Sequence, residues 1–400
     1  MTAPPVSDGA VLVAADGRIA ACGPDHAVPH PPGTPEEEWP DTVLVPGLVN
    51  THTHLELTGL EGQVEEDGFA EWITRLRRLK EGRTPAEFLA AARQGVRDCW
   101  AAGVTTVADT GDTGAVIQAL AELGGTGVVF QEVFGPHPGQ VAASMEFLSA
   151  RVEALRAFTG PRIRLGVSPH APYSVSAPLY AAVAGYASAR DLPVAVHLAE
   201  SVAESALVVG GIGEFAAMWR DRGIPVPASA GRSPVDYLDR QGVLGPRTLA
   251  IHVVQADAQD ISTLAARDVA VAHCPLSNHR HHHGEAPVGA LVRGGVRVGV
   301  GTDSVASVGR LDLMAEARAA RILGWLDAEE ALALGTREAA RALGLAGEAG
   351  VLAPGAWGDV AAIALRDGAP ADLYESVLAS GAGDVRATWV AGREVFRRPG

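Results

Sequence analysis

The sequence predicts a (β/α)8 barrel with a small β-sandwich domain built from both termini. Two patterns carry this. Between Gly47 and Leu345, short Val/Ile/Leu runs alternate with Ala-rich, helix-like stretches. Repeated β-then-α units of this size close into parallel barrels. Several of the apolar runs also end in a histidine or a carboxylate. In such barrels the C-terminal strand ends carry the chemistry.

The expected barrel strands are 44–49, 104–108, 126–133, 162–167, 193–196, 248–251, 269–272 and 296–299. The flanks read differently. Residues 8–24 look like two strands joined at Asp16-Gly17, a hairpin signal. Residues 350–365 and 385–396 also read as short strands. The expected division is therefore 1–46 and 347–400 for the sandwich and 47–346 for the barrel.

Composition narrows the class. The chain has 400 residues, 47% of them hydrophobic and 20% charged, as in a water-soluble globular protein. A formal net charge of −15 argues against a broad nucleic-acid surface. Cys22, Cys99 and Cys274 are far apart, so neither a disulfide framework nor a cysteine zinc site is expected. The N-terminal residues lack a basic-then-apolar signal region, and no apolar run reaches membrane-spanning length. The expectation is a cytoplasmic enzyme with no membrane partner.

The chemistry starts at Val45-Pro-Gly-Leu-Val-Asn-Thr-His-Thr-His-Leu-Glu-Leu-Thr58. On a strand, residues i and i+2 share a face, so His52 and His54 can converge on one metal. Further strand ends supply His197 and Glu200, then His252, then His273, then Asp303. His52, His54, His197 and Asp303 are the expected ligands, and His273 by its place is structural. Binuclear sites of this kind bridge their metals with a carboxylated strand lysine. The only lysine here is Lys80, in an amphipathic helical pattern, so one divalent metal per chain is expected. Zinc comes first, and iron is compatible with the same donors.

These motifs, with Ser168-Pro-His-Ala-Pro-Tyr173, His273-Cys-Pro-Leu-Ser-Asn278 and Gly350-Val-Leu-Ala-Pro-Gly-Ala-Trp-Gly-Asp359, resemble the amidohydrolase superfamily. The likeness is to its mononuclear branch, which deaminates nucleobases and nucleosides. Within that branch, Leu55-Glu-Leu-Thr58, Phe69-Ala-Glu-Trp72-Ile73, Glu132-Val133 and Ser233-Pro-Val-Asp-Tyr-Leu238 resemble the aminodeoxyfutalosine deaminases of menaquinone biosynthesis.

The resemblance implies a small nucleoside-type substrate and a metal-activated water. Asp303 would take the water's proton, His252 would orient the water, and Glu200 would protonate the purine ring nitrogen. Glu200 would then need to carry a proton at neutral pH during the cycle, so a partly desolvated setting is expected. His170 would contact substrate, often a ribose hydroxyl, and Trp72, Glu56 and Glu132 would help bind it. A homodimer is common in the branch. Rival readings are deamination of S-adenosylhomocysteine, adenosine or guanine, triazine dechlorination, and a non-catalytic barrel. The histidine-rich run Asn278-His-Arg-His-His-His283 is expected to be a solvated loop near the barrel mouth, with a second metal site as the alternative.

Overall fold

The computed structural model describes residues 4–65, 68–365 and 372–399. A hairpin of β1 (Gly9–Val13) and β2 (Ile19–Pro24) opens the chain, as its Asp-Gly turn predicted. Then β3 (Thr42–Pro46) precedes the first barrel strand, β4 (Leu48–Thr53). The barrel continues with β5 (Val104–Gly111), β6 (Thr126–Val133), β7 (Ile163–Pro169), β8 (Val194–Leu198), β9 (Thr248–His252), β10 (Ala270–His273) and β11 (Arg297–Val300). After it come β12 (Val360–Ala364), β13 (Val385–Val390) and β14 (Arg393–Arg397).

The eight barrel strands pair in parallel and in chain order from β4 to β11. Almost all their residues are buried, which explains the continuous apolar runs in the sequence. Closure occurs at the site. The N–H groups of Thr302 and Asp303 donate to the His52 carbonyl at 3.1 and 3.0 Å. Asn50 Nδ2 donates to Thr302 Oγ1 at 2.8 Å. Gly301 permits this approach, since a Cβ there would lie 2.6 Å from the His52 nitrogen.

Two strand expectations need correction. The run 44–49 is two elements: β3 joins the terminal sheet, and β4 starts the barrel. The break falls at Gly47, where a Cβ would sit 2.2 Å from Thr105 Oγ1. Apolar character continues through it because the residues on either side, Val45, Pro46, Leu48 and Val49, are all buried. In the run 350–365 only β12 is strand, and residues before it form turns. The terminal strands make two sheets: the β1–β2 hairpin, and a four-stranded antiparallel sheet in the order β14-β13-β12-β3. The hairpin is tied to the C-terminal segment by Ile19 N–H donating to Ala356 O at 2.8 Å.

Helices follow most barrel strands, and their starts are capped by sequence. Thr84 and Glu87 form a reciprocal capping box for the helix Pro85–Ala101. No single described helix is long and apolar enough to cross a membrane.

Candidate metal centre and active site

His52 and His54 leave the end of β4 on one face, as the strand period requires. His197 comes from β8. One potential ligand atom from each of the three lies within 4.8 Å of the others. Asp303, just past β11, places Oδ1 3.7 Å from His52 Nε2 and 3.6 Å from His54 Nε2. All four expected ligands therefore meet.

Their other contacts fix the ring orientations. His54 Nδ1 lies 2.8 Å from Thr110 O, and His197 Nδ1 lies 3.2 Å from His170 O. That leaves each Nε2 for the centre. Ser277 Oγ donates to Asp303 Oδ2 at 2.6 Å. Burial and the neighbouring histidines hold His52 well below the ordinary imidazole range, and burial first, then His54 and His252, pushes His197 down to about 3. Neutral imidazoles keep their lone pairs for a metal. His52 is 1% exposed, yet neither ring nitrogen has a hydrogen-bond partner. An orphaned buried imidazole facing two more imidazoles and a carboxylate fits a divalent cation.

The proton-handling residues surround this group. Glu200 sits three residues past His197 and is buried. Its Oε1 lies 3.4 Å from His252 Nε2, and its Oε2 accepts from Tyr173 OH at 3.3 Å. The backbone N–H groups of Ala199 and Glu200 donate to the Glu204 carboxylate at 2.8 and 3.0 Å. Ala199, His252 and Asp303 all adopt left-handed backbone, with φ of 51°, 73° and 58°. Non-glycine residues in that region are uncommon and cluster at functional sites.

The desolvated setting expected of Glu200 is present, but the net shift of its carboxyl runs the other way. Burial pushes the Glu200 carboxyl up, but His252, His283 and His197 outweigh it and hold the group below the usual carboxylate range.

His283 accounts for part of that reversal, and it corrects the reading of residues 279–283 as a solvated loop. His279 and His282 are exposed, but His283 is buried, with Nε2 3.3 Å from Glu200 Oε1. His281 packs edge-on to Trp72, with ring centroids 4.6 Å apart. The run folds inward because two of its rings find aromatic partners on the helix Phe69–Glu81. The nearest sequence signal was the i, i+2 spacing of His281 and His283.

The expected substrate contacts divide. His170 lies at the mouth, with Nδ1 2.7 Å from Ser174 Oγ and its ring 4.7 Å from that of His197. Glu132 is buried with an unpartnered Oε1, and it can bring an oxygen within 4.8 Å of the ligating atoms of His170 and His197. Glu56 is instead committed to the protein: Lys80 Nζ donates to its Oε1 at 2.9 Å, and Thr113 Oγ1 donates to its Oε2. Trp72 is buried, stacked on Phe69 and covered by His281. His273 keeps the structural place expected of it, with Nδ1 3.3 Å from His252 O. Tyr173 and Lys80 were visible in sequence only as part of a motif and of a helical stripe.

Such a constellation at the mouth of a (β/α)8 barrel defines a metal-binding hydrolase. The chain belongs to the amidohydrolase family, whose model matches residues 43–395. It is a hydrolase acting on carbon–nitrogen bonds. It is 32% identical over 332 residues to the aminodeoxyfutalosine deaminase of Deinococcus radiodurans, covering 79% of this chain and 77% of that one. It is 31% identical over 333 residues to the 5'-deoxyadenosine deaminase of Methanothermobacter thermautotrophicus, covering 81% and 74%. Among solved structures it is similar to an adenosine deaminase from Xanthomonas campestris with bound zinc, at 27% identity and a TM-score of 0.82, covering 97% of this chain and 88% of that one.

Proposed function

We propose that the protein hydrolytically deaminates the adenine ring of a nucleoside altered at its 5' end, with 6-aminodeoxyfutalosine as the substrate. That would place it in menaquinone biosynthesis. The observation that carries the chemistry is the pairing of the His52, His54, His197 and Asp303 cluster with Glu200 at one strand-end mouth. The substrate assignment is supported by the subgroup signatures and by the Deinococcus relative.

A divalent metal at that cluster supplies a Lewis acid and brings the pKa of a water toward neutrality. Zinc fits three imidazoles and a carboxylate, and the Xanthomonas neighbour carries it. Asp303 accepts the water's proton, its Oδ2 steadied by Ser277. His252 orients the water from the end of β9. Glu200 delivers a proton to the ring nitrogen beside the amine-bearing carbon, which makes that carbon electrophilic. Water oxygen adds there, the proton passes to the amine, the carbon–nitrogen bond breaks and ammonia leaves. The water supplies both protons: one reaches the ring nitrogen through Glu200, and the other, taken by Asp303, reaches the amine. His170 and Glu132 offer polar contacts for a sugar beside the base.

A panel of 6-aminodeoxyfutalosine, 5'-deoxyadenosine, adenosine, S-adenosylhomocysteine, guanine, adenine and cytosine, followed by absorbance and ammonia release, tests this. The expected result is kcat/KM for 6-aminodeoxyfutalosine at least ~10-fold above adenosine, a difference of about 1.4 kcal/mol. Free adenine and cytosine should be poor. Preference for 5'-deoxyadenosine, S-adenosylhomocysteine or guanine overturns the substrate and its pathway. No deamination at all overturns the reaction.

A further inference from the structure

We infer that His283 is a positioning residue for the Glu200 carboxylate, a role that rests on the deaminase reading above. A glutamate side chain turns about three bonds, and a proton donor works only when its oxygen is aimed at the accepting atom. Here three groups face the carboxylate, Tyr173 through a hydrogen bond and His252 and His283 through close ring-nitrogen approaches. His252 faces Oε1 from the end of β9, and Tyr173 donates to Oε2. The third group is His283, 3.3 Å from Oε1.

The loop bearing His283 is built to present that ring. The His283 N–H donates to Asn278 O at 2.9 Å, and its carbonyl accepts from Gln255 Nε2 at 2.5 Å. Gln255 also donates its own backbone N–H to Ala199 O at 2.7 Å. The same residue thus ties the His283 loop to the backbone immediately before Glu200. The His283 ring meets Phe69 edge-on at 4.4 Å between centroids and stacks near-parallel on His281 at 5.4 Å. These contacts leave the imidazole little room to turn away from Glu200. His283 is 4% exposed, so the contact is made out of bulk water, where a charged partner is felt most strongly.

A side chain that acts through another loses its effect when the other is removed. His283→Ala and His283→Gln are therefore made alone and in a Glu200→Gln background. In the metal-loaded proteins kcat, KM, metal content and Tm are measured. His283→Ala alone should lower kcat by about 10–100-fold, the scale for a misaimed catalytic group, with KM and metal content little changed. His283→Gln, whose amide can face the same oxygen, should recover part of the loss and keeps bulk if the alanine variant does not fold. Added imidazole should raise the kcat of His283→Ala. In the Glu200→Gln background, His283→Ala should cost no more than about two-fold further.

An equal loss in both backgrounds overturns the inference, as does a raised KM with unchanged kcat. A strong loss in Glu200→Gln beside normal His283 variants also overturns it, and leaves the deaminase reading intact. Full activity of Glu200→Gln overturns the reading itself, and the role of His283 with it.

Discussion

Two groups of buried polar side chains share the barrel mouth and are finished differently. At the ends of β4, β8 and β11, the two His52 nitrogens have no hydrogen-bond partner, and the facing nitrogens of His54 and His197 converge on the same space. Around β5 and the helix Phe69–Glu81, the Lys80 and Glu56 charges are matched, while Asp109 on β5 keeps one oxygen without a hydrogen-bond partner. Lys80 donates to Glu56 at 2.9 Å and to Asp112 at 2.7 Å, and the remaining Glu56 oxygen takes Thr113. Burial alone would push the Lys80 ammonium down, but Glu56, Asp112 and Glu132 hold it above the usual lysine range. Buried polar atoms in folded proteins are nearly always satisfied, so an unsatisfied group needs an outside partner. What separates the groups is convergence: the His52, His54 and His197 nitrogens face one another and Asp303, which suits a shared cation, whereas the Lys80 and Glu56 charges satisfy each other. Glu132 stands between them, near Lys80 in charge but with one oxygen free.

The contrast can be broken first at the histidines. Purified protein should carry close to one divalent transition metal per chain, and His52→Ala or Asp303→Ala should remove most of it with nearly all activity. Elemental analysis reading two tightly bound metals per chain would end the mononuclear assignment. The next largest effect is at Glu200. Glu200→Gln should keep metal and fold while kcat drops by a factor on the order of 10²–10⁴.

On the other side, Lys80→Met leaves Glu56 buried without its counter-charge. A loss of about 3–5 kcal/mol in urea unfolding is expected, with metal content unchanged. If stability held and kcat collapsed, the Lys80 group would belong to the chemistry and the contrast would be wrong. Arg77→Ala sharpens the scale at its low end. Arg77 pairs with Glu81 at 2.9 Å on the same helix, both well exposed, and its removal should leave Tm and kcat unmoved.

Much of this is legible in the sequence. The eight apolar runs named the barrel because parallel strands covered on both faces must be apolar throughout. His52, His54, His197, Glu200, His252 and Asp303 were legible because each stands where such a run ends, and strand ends of a closed barrel converge. Those rules are local and periodic, and a linear sequence displays them.

Other features depended on which surfaces meet. The Gly47 break was hidden because the end of β3 and the start of β4 are both buried, so hydropathy does not change where the chain leaves one sheet for another. His283 looked like part of a polar loop, and only its packing against Phe69 and its approach to Glu200 make it a site residue. Lys80 and Glu56 are 24 positions apart, and nothing local pairs them. The sign of the Glu200 shift was likewise decided in three dimensions. Desolvation was foreseeable from a buried strand end, but the imidazoles that outweigh it come from β8, β9 and the loop after β10. The sequence alone determined the periodic elements and the donors at their ends. Tertiary structure decided the partner of each buried charge, because pairing depends on distances between segments that sequence separation does not encode.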